Sequence, residues 1–244
     1  MEKLEFVYKP GLFKDIEVWD GIAALVKQQE PAAYFWVYDK KVNFLKVPIE
    51  INKLNGGGFH VEGDKFDFLM GFIASYKLVF VQIKIKENFE NEWYKEWVDA
   101  LIQLNGFVHA WVVDYEYNYW QNAADPSQYK FGGRSTEGIP MIQSDSPPPW
   151  DRWLIDTSSN AGLRKIRKGY IEAIGARMWF SEKFLALINR TIEEIQDAYP
   201  CKIEKYTEDV YQLSASVDIF KDSSTEAEQR QLRAALYGNV KQEE

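Results

Sequence analysis

The pattern of hydrophobic and polar positions predicts helices and strands along most of the chain. Between Asp15 and Gln29, apolar side chains recur every three to four residues and Pro31 follows, which predicts an amphipathic helix. In residues 33–38, apolar and aromatic side chains alternate, so neither face of the predicted strand is polar. That composition is typical of an internal strand.

The clearest predicted unit is a strand, a helix and a second strand. Residues 79–85 alternate apolar and polar side chains, which predicts a half-buried strand. Apolar residues then recur at helical spacing over 89–104, and Asn105-Gly106 predicts a left-handed helix end. Residues 107–119 alternate again, so we expect one long strand there.

Residues 121–168 lose this periodicity and are rich in Gly, Pro and Ser. They predict a long loop or a linker, which is unusual within a compact domain and indicates either a functional segment or a boundary. The basic run at residues 164–168 falls at its end, and we interpret that run as a solvated turn.

The order of strand, helix and strand returns in the C-terminal part. The pattern predicts a strand over 171–180, a helix over 184–199 that Pro200 ends, a strand over 211–219 and a last helix from Thr225 to Gly238. Thr225-Glu226-Ala227-Glu228 matches a capping box.

These elements predict an α+β fold in which helices pack on one face of one or more sheets. We divide the chain into an N-terminal α+β half at residues 1–120, the loop or linker at 121–168, and a C-terminal α+β half at 169–244. Two similar halves and a single compact domain both stay open, because the halves share no repeat at the level of residues.

The composition and charge of the chain limit the classes of partner and the cellular compartment that we expect. The chain has 244 residues, 46% of them hydrophobic, and no apolar stretch or leader that would direct it to a membrane, so we expect a cytoplasmic protein. A net charge of −8 disfavours nucleic acid as a partner and favours a basic one. The single cysteine, Cys201, excludes an internal disulfide and a cysteine zinc site.

Candidates for catalysis are few, and we expect no catalytic site, no metal and no cofactor. The chain contains only two histidines, His60 and His109. His109 lies on an apolar strand face, which predicts a buried ring bonded to backbone, while His60 follows a glycine-rich turn and is assigned to a loop. Asp114 and Glu116 are on the opposite strand face from His109, so the spacing does not assemble a metal site.

One enzyme alternative stays open. Asp67, followed by Gln82 and Lys84 on the polar face of a strand, is similar to the acidic and lysine arrangement of restriction-like nucleases, which hold Mg²⁺ with carboxylates. Here Gln82 occupies the position of the second carboxylate.

Partner binding is the function that the sequence favours. Acidic and aromatic residues interleave at the end of the predicted long strand and in the loop after it, and this combination suits a basic protein surface. The predicted partner-binding residues are Asp114, Tyr115, Glu116, Tyr117, Tyr119, Trp120, Asp145, Trp150, Asp151 and Trp153. The alternative is that these aromatic side chains fold back and cover the core.

The C-terminal part resembles a known family. A strand of small residues with a tryptophan at residues 175–181, the helix that ends at Tyr199 and the strand between Val210 and Phe220 resemble bacterial immunity proteins, the antidotes of polymorphic or type VI secreted toxins. The resemblance covers mainly residues 170–240. It implies tight binding of a cognate toxin whose active site is occluded, and it implies no catalytic residue. A structural component of phage or secretion machinery, including a homo-oligomer, is the third alternative.

Overall fold

The computed structural model describes residues 1–31, 34–54, 56–86, 93–147 and 151–238. In chain order, the strands of this part are β1 (Glu2–Tyr8), β2 (Tyr34–Val37), β3 (Lys40–Asn43), β4 (Gly58–Glu62), β5 (Phe66–Ile73), β6 (Leu78–Ile85), β7 (Phe107–Asp114), β8 (Met141–Gln143), β9 (Trp153–Ile155), β10 (Lys165–Arg167), β11 (Tyr170–Glu172), β12 (Arg177–Ser181), β13 (Lys202–Lys205) and β14 (Val210–Ser214). The helices are α1 (Asp15–Gln29), α2 (Val47–Lys53), α3 (Tyr94–Leu101), α4 (Tyr115–Asn122), α5 (Pro126–Phe131), α6 (Glu182–Ile188), α7 (Ile192–Ala198) and α8 (Glu226–Tyr237).

A ten-stranded antiparallel sheet runs through the molecule. Its strand order is β13-β14-β12-β7-β1-β6-β5-β4-β2-β3, so strands from both ends of the chain belong to one sheet. The first strand, β1, is central and pairs with β6 and β7 along its length. Two small hairpins, β8–β9 and β10–β11, stand apart from this sheet.

The helices cover the two faces of the sheet at different places. On β7, Ala110 and Val112 belong to a first core that includes residues of α1, α2 and α3, whereas Trp111 and Val113 belong to a second core that includes residues of α6, α7 and α8. Neighbouring strand residues point to opposite faces, so the two cores lie on opposite sides of the sheet. The predicted α+β class is confirmed, with helices on both faces and not on one.

The best-predicted element is α1, whose observed bounds are those that the hydrophobic spacing indicated. Val18, Trp19, Ile22 and Val26 are buried in the first core. The side chain of Glu17 accepts a hydrogen bond from the Lys14 backbone at 3.1 Å, which satisfies a backbone donor at the helix start.

Several predicted elements are shorter than the sequence indicated. Strand 171–180 is two strands, β11 and β12, and helix 184–199 is two helices, α6 and α7. Asn189 separates the helices because it adopts a left-handed conformation (φ +52°), after which the side chain of Thr191 caps α7. The strand predicted over 211–219 ends at Ser214. Helix α8 begins near Thr225 as predicted, but Thr225 bonds the Asp222 carbonyl instead of closing the capping box.

Two further predictions near the N-terminal half need correction. In β2, Tyr34 and Trp36 are exposed, so one face of this strand meets solvent, with the Lys41 ammonium 5.6 and 5.9 Å from their ring centroids. His60 belongs to strand β4 and not to a loop. Helix α3 is described only from Tyr94, and the first residues of the helix predicted over 89–104 lie outside the described part.

Candidate protein-binding surface

The acidic and aromatic run after β7 forms helix α4, so the prediction of one continuous strand over 107–119 is wrong from Tyr115 onward. The side chain of Asp114 accepts a hydrogen bond from the Tyr117 backbone N–H at 2.8 Å and caps the helix. Its other oxygen lies 3.4 Å from the amino group of Met1. Asp114 is partly exposed, and its side chain positions the start of the helix.

Two tyrosines of this helix pack against the rest of the protein. The ring of Tyr115 lies over Lys84, whose ammonium is 3.8 Å from the ring centroid. The hydroxyl of Tyr117 accepts a hydrogen bond from the side chain of Gln229 on α8 at 3.0 Å. Tyr115 and Tyr117 therefore contact the protein itself, as the alternative to partner binding expects.

Beneath Tyr115 lies a buried ion cluster that the sequence pattern did not predict. Glu5, on β1, is only 1% exposed and lies 2.9 Å from the Lys3 ammonium and 2.7 Å from the Arg164 guanidinium. Its second oxygen also accepts a hydrogen bond from Gln82 at 2.9 Å. The run of residues 164–168 is therefore not wholly a solvated turn. The only local signal was a carboxylate among the apolar residues of β1.

The cluster keeps Glu5 ionised. Burial opposes ionisation, but the nearby cations Arg164 and Lys3 outweigh it and hold the pKa of Glu5 below its ordinary value. Burial also lowers the pKa of Lys3. This carboxylate joins β1, β6 and the loop before β10, and so fixes the base on which α4 rests.

The exposed side of α4 presents Glu116 and Tyr119. Glu116 lies 3.2 Å from the guanidinium of Arg134 and remains largely exposed. The ring of Tyr119 contacts Trp120 edge to face at a centroid distance of 4.9 Å. Of the residues predicted on this helix, these two are exposed.

Trp120 is partly buried and packs against the segment that follows. Its ring packs against Tyr129 at 5.0 Å, and the Arg134 guanidinium lies 4.2 Å from its centroid. A β-carbon at Gly132 would lie 2.5 Å from this ring, so a side chain there would require the ring to shift. A small apolar cluster forms around it, with Ala123, Tyr129 and Ile155 buried.

The remaining predicted residues lie on or beside the β8–β9 hairpin. Trp153 is 62% exposed and lies opposite Gln143 across the hairpin. Asp145 and Asp151 are exposed and lie between β8 and β9 in the chain. Trp150 lies outside the described residues.

The acidic segment, residues 114–156, carries more acidic than basic residues. It contains seven carboxylates and three basic side chains, a net charge of −4 out of −8 for the whole chain. It also exposes large apolar side chains that the sequence pattern did not single out: Phe131, Met141 and Ile142. Phe131 is 87% exposed. Phe131 is the last residue of α5. The sequence indicated its exposure only through Gly132 and Gly133, which directly follow it.

The fold is shared with a protein of known structure. No family model matches the chain, and no curated protein matches it. The solved structure of the Pseudomonas aeruginosa T6SS protein PA0821 is similar, with a TM-score of 0.58 and 11% sequence identity over 97% of this chain and 72% of that chain. At this identity, the likeness shows the fold alone.

The residues of the nuclease alternative occupy neighbouring strands. Asp67 and Lys84 are cross-strand partners on β5 and β6, but Asp67 contacts His60 at 2.5 Å, and Gln82 and Lys84 contact Glu5 and Tyr115. No group of three or more His, Cys, Asp or Glu side chains that could hold a metal occurs in the described ranges.

The second histidine and the cysteine are held in apolar surroundings. His109 is fully buried between the rings of Trp111 and Phe184, at 4.9 and 4.4 Å, and its Nε2 accepts a hydrogen bond from the Ile171 backbone, as predicted. Burial lowers the pKa of His109 to about 3. Burial raises the pKa of the Cys201 thiol, so its reactive thiolate form is disfavoured. None of the described helices is long and apolar enough to cross a membrane.

Proposed function

We propose that this chain is an antidote that binds a cognate protein toxin and blocks its active site. The contact surface in this proposal is the binding face, which consists of Glu116, Tyr119, Asp145, Asp151 and Trp153. The partner carries a basic surface, and the protein acts by occlusion without making or breaking bonds in the toxin.

The observation that carries the proposal is the exposure of large apolar side chains among carboxylates. Trp153 and Phe131 are 62% and 87% exposed, and both belong to the acidic segment. Binding energy in protein interfaces is concentrated in a few large side chains, of which tryptophan is among the most frequent. Exposed apolar groups rimmed by polar ones are typical of interaction sites.

The charge of the segment supports a basic partner. Seven carboxylates against three basic side chains give residues 114–156 half of the net charge of the chain. Complementary charge speeds encounter and excludes partners of the same sign, while the aromatic side chains supply the contact area. In this proposal the carboxylates speed association, and the aromatic side chains hold the complex together.

The secretion context has two lines of support. The T6SS protein PA0821 has a similar fold, and residues 170–240 resemble immunity proteins of secreted toxins. An assembly component of the same machinery is the competing function, and it predicts self-association of the purified chain in place of binding to a toxin.

The experiment is co-expression with the product of the neighbouring gene, followed by measurement of Kd with purified proteins. Trp153→Ala should weaken Kd by about 30-fold, because removal of an interface anchor costs about 2 kcal/mol or more. Glu116→Lys should slow association and reduce its dependence on salt. Asp114 is a poor choice for this test because its substitution alters helix α4 itself.

Matched controls are available elsewhere on the surface. Trp36→Ala removes an exposed tryptophan of β2, and Glu208→Lys reverses an exposed charge between β13 and β14. Both should leave Kd unchanged. If none of the four substitutions changes Kd, the proposed binding face is wrong. If no complex forms and light scattering shows concentration-dependent self-association, the chain is better explained as an assembly component.

A further inference from the structure

A pocket of about 320 Å³ lies on the C-terminal side of the molecule, apart from the binding face. It is bounded by the loop at residues 158–163, the β10–β11 hairpin and helix α8. Its volume is at the lower end of the range for small-molecule sites.

The pocket is basic although the chain is acidic. Lys165 and Arg167 of β10 and Arg230 and Arg233 of α8 line it, together with a single carboxylate, Glu172. Arg167 lies 2.7 Å from Glu172, so this ion pair compensates one of the four positive charges. Lys165 is exposed.

Arg233 contributes a charge that its hydrogen bonds do not neutralise. Its guanidinium donates to the backbone carbonyls of Ala161, at 3.3 Å, and of Leu163. Carbonyl oxygens satisfy the N–H donors but carry no net charge. Burial also lowers the pKa of Arg233, so the ionised side chain is held at a cost that an anion would offset.

Arg230 is similarly oriented by backbone. It donates to the carbonyl of Ser159 at 2.6 Å, while Glu226 lies 3.2 Å away on the same helix. The hydroxyl of Tyr237 is engaged by the backbone of Ala173, which makes this ring a wall of the pocket. Ser158 and Ser159 add neutral polar groups to the lining.

We propose that this pocket binds a small, multiply charged anion of the phosphate monoester class. Four cationic side chains face the lining carboxylate Glu172 and the neighbouring Glu226, which leaves an excess of two positive charges. This excess matches a group that carries between one and two negative charges and several acceptor oxygens. The guanidinium N–H groups that these bonds leave over can donate to such oxygens, and the exposed Lys165 supplies a mobile point charge. The pocket shares no residue with the binding face.

The test is isothermal titration calorimetry of the full chain with glycerol phosphate and with inorganic phosphate. Lys165→Ala and Arg230→Ala should each weaken Kd by about tenfold, because each removes a charge-assisted hydrogen bond. Lys165→Glu should abolish binding. Lys95→Ala, which removes an exposed lysine of α3, is the matched control and should leave Kd unchanged.

Comparison of the two probes separates the sources of phosphate. Equal affinity would place the contacts on the phosphate group alone, whereas tighter binding of glycerol phosphate would show that the pocket also holds the organic part. Absence of heat with both probes would overturn the proposal. An equal loss of affinity in Lys95→Ala and Lys165→Ala would also overturn it, because binding would then depend on the overall charge of the protein and not on the pocket.

Discussion

His109 illustrates how a residue that looks chemical can be structural. Its ring is stacked between Trp111 and Phe184, and the backbone of Ile171 donates to its Nε2. A charged imidazolium would lose its hydration in this place, which is why the pKa falls from 6.5 to about 3. The folded protein therefore holds the ring neutral over the physiological range.

This depressed pKa predicts a stability loss in mild acid. Below pH 6.5, His109 takes up a proton in the unfolded chain but not in the folded one, so the free energy of unfolding falls as pH falls from 6.5 to about 3. At pH 5.0, the loss from this residue should be about 2 kcal/mol relative to pH 7.5, from about 1.4 kcal/mol per pH unit. Urea unfolding at both pH values measures it.

The substitution His109→Phe separates this effect from the other titrating groups. It keeps an aromatic ring in the stack but leaves the Ile171 N–H without its acceptor, at a cost of about 1–3 kcal/mol at either pH. The difference between the two pH values should shrink by about 2 kcal/mol. An unchanged difference in His109→Phe would contradict the prediction.

At the scale of elements, the side chain of Asp114 caps the helix at the transition from β7 to α4. Residues 107–119 alternate without interruption, so periodicity alone favours a continuous strand. The carboxylate of Asp114 instead accepts the Tyr117 backbone N–H and begins a helix. As a result Tyr115 and Tyr117 contact the protein, whereas Glu116 and Tyr119 face outward.

The role of Asp114 as a cap can be tested by a pair of substitutions. Asp114→Ala should lower the free energy of unfolding by about 1 kcal/mol, because the helix start loses its acceptor. Asp114→Asn should cost about 0.5 kcal/mol or less, since asparagine caps about as well as aspartate. Urea unfolding followed by circular dichroism measures both. Equal losses in the two variants would show that the charge matters and the cap does not.

At the scale of the whole molecule, one sheet links the two ends of the chain. Strand β12 pairs with β7, and β7 pairs with β1, so C-terminal strands extend the sheet that the N-terminal strands begin. The outer strands β3 and β13 carry lysines, two each, which disfavour pairing with another molecule at the sheet edges.

This continuity predicts that a fragment of residues 1–168 will not behave as an independent unit. It would lack β11 to β14 and α6 to α8, and it would uncover Trp111 and Val113 along an unpaired edge of β7. We expect aggregation in size-exclusion chromatography with light scattering, under conditions in which the full chain elutes cleanly. A monomeric fragment with a dispersed NMR spectrum would support separate halves.

Short-range patterns in the sequence suffice to predict the elements whose conformation depends only on neighbouring residues. The 3.6-residue spacing in α1 and the alternation in β6 are complete within 15 and 8 residues, so the sequence alone predicts them. The α+β class and the acidic balance of residues 114–156 follow from the same local information.

Contacts between residues far apart in the chain determine the strand order and the composition of the buried ion cluster and the pocket. The strand order, the pairing of Arg164 with Glu5 and the meeting of Lys165 with Arg233 join positions that no local pattern relates. The strand-to-helix change at Asp114 belongs here as well, since alternating aromatic residues satisfy either conformation and the packing of Tyr115 and Tyr117 selects the helix. Local spacing encodes backbone conformation, whereas burial and charge pairing between distant segments determine which side chains remain available for a partner.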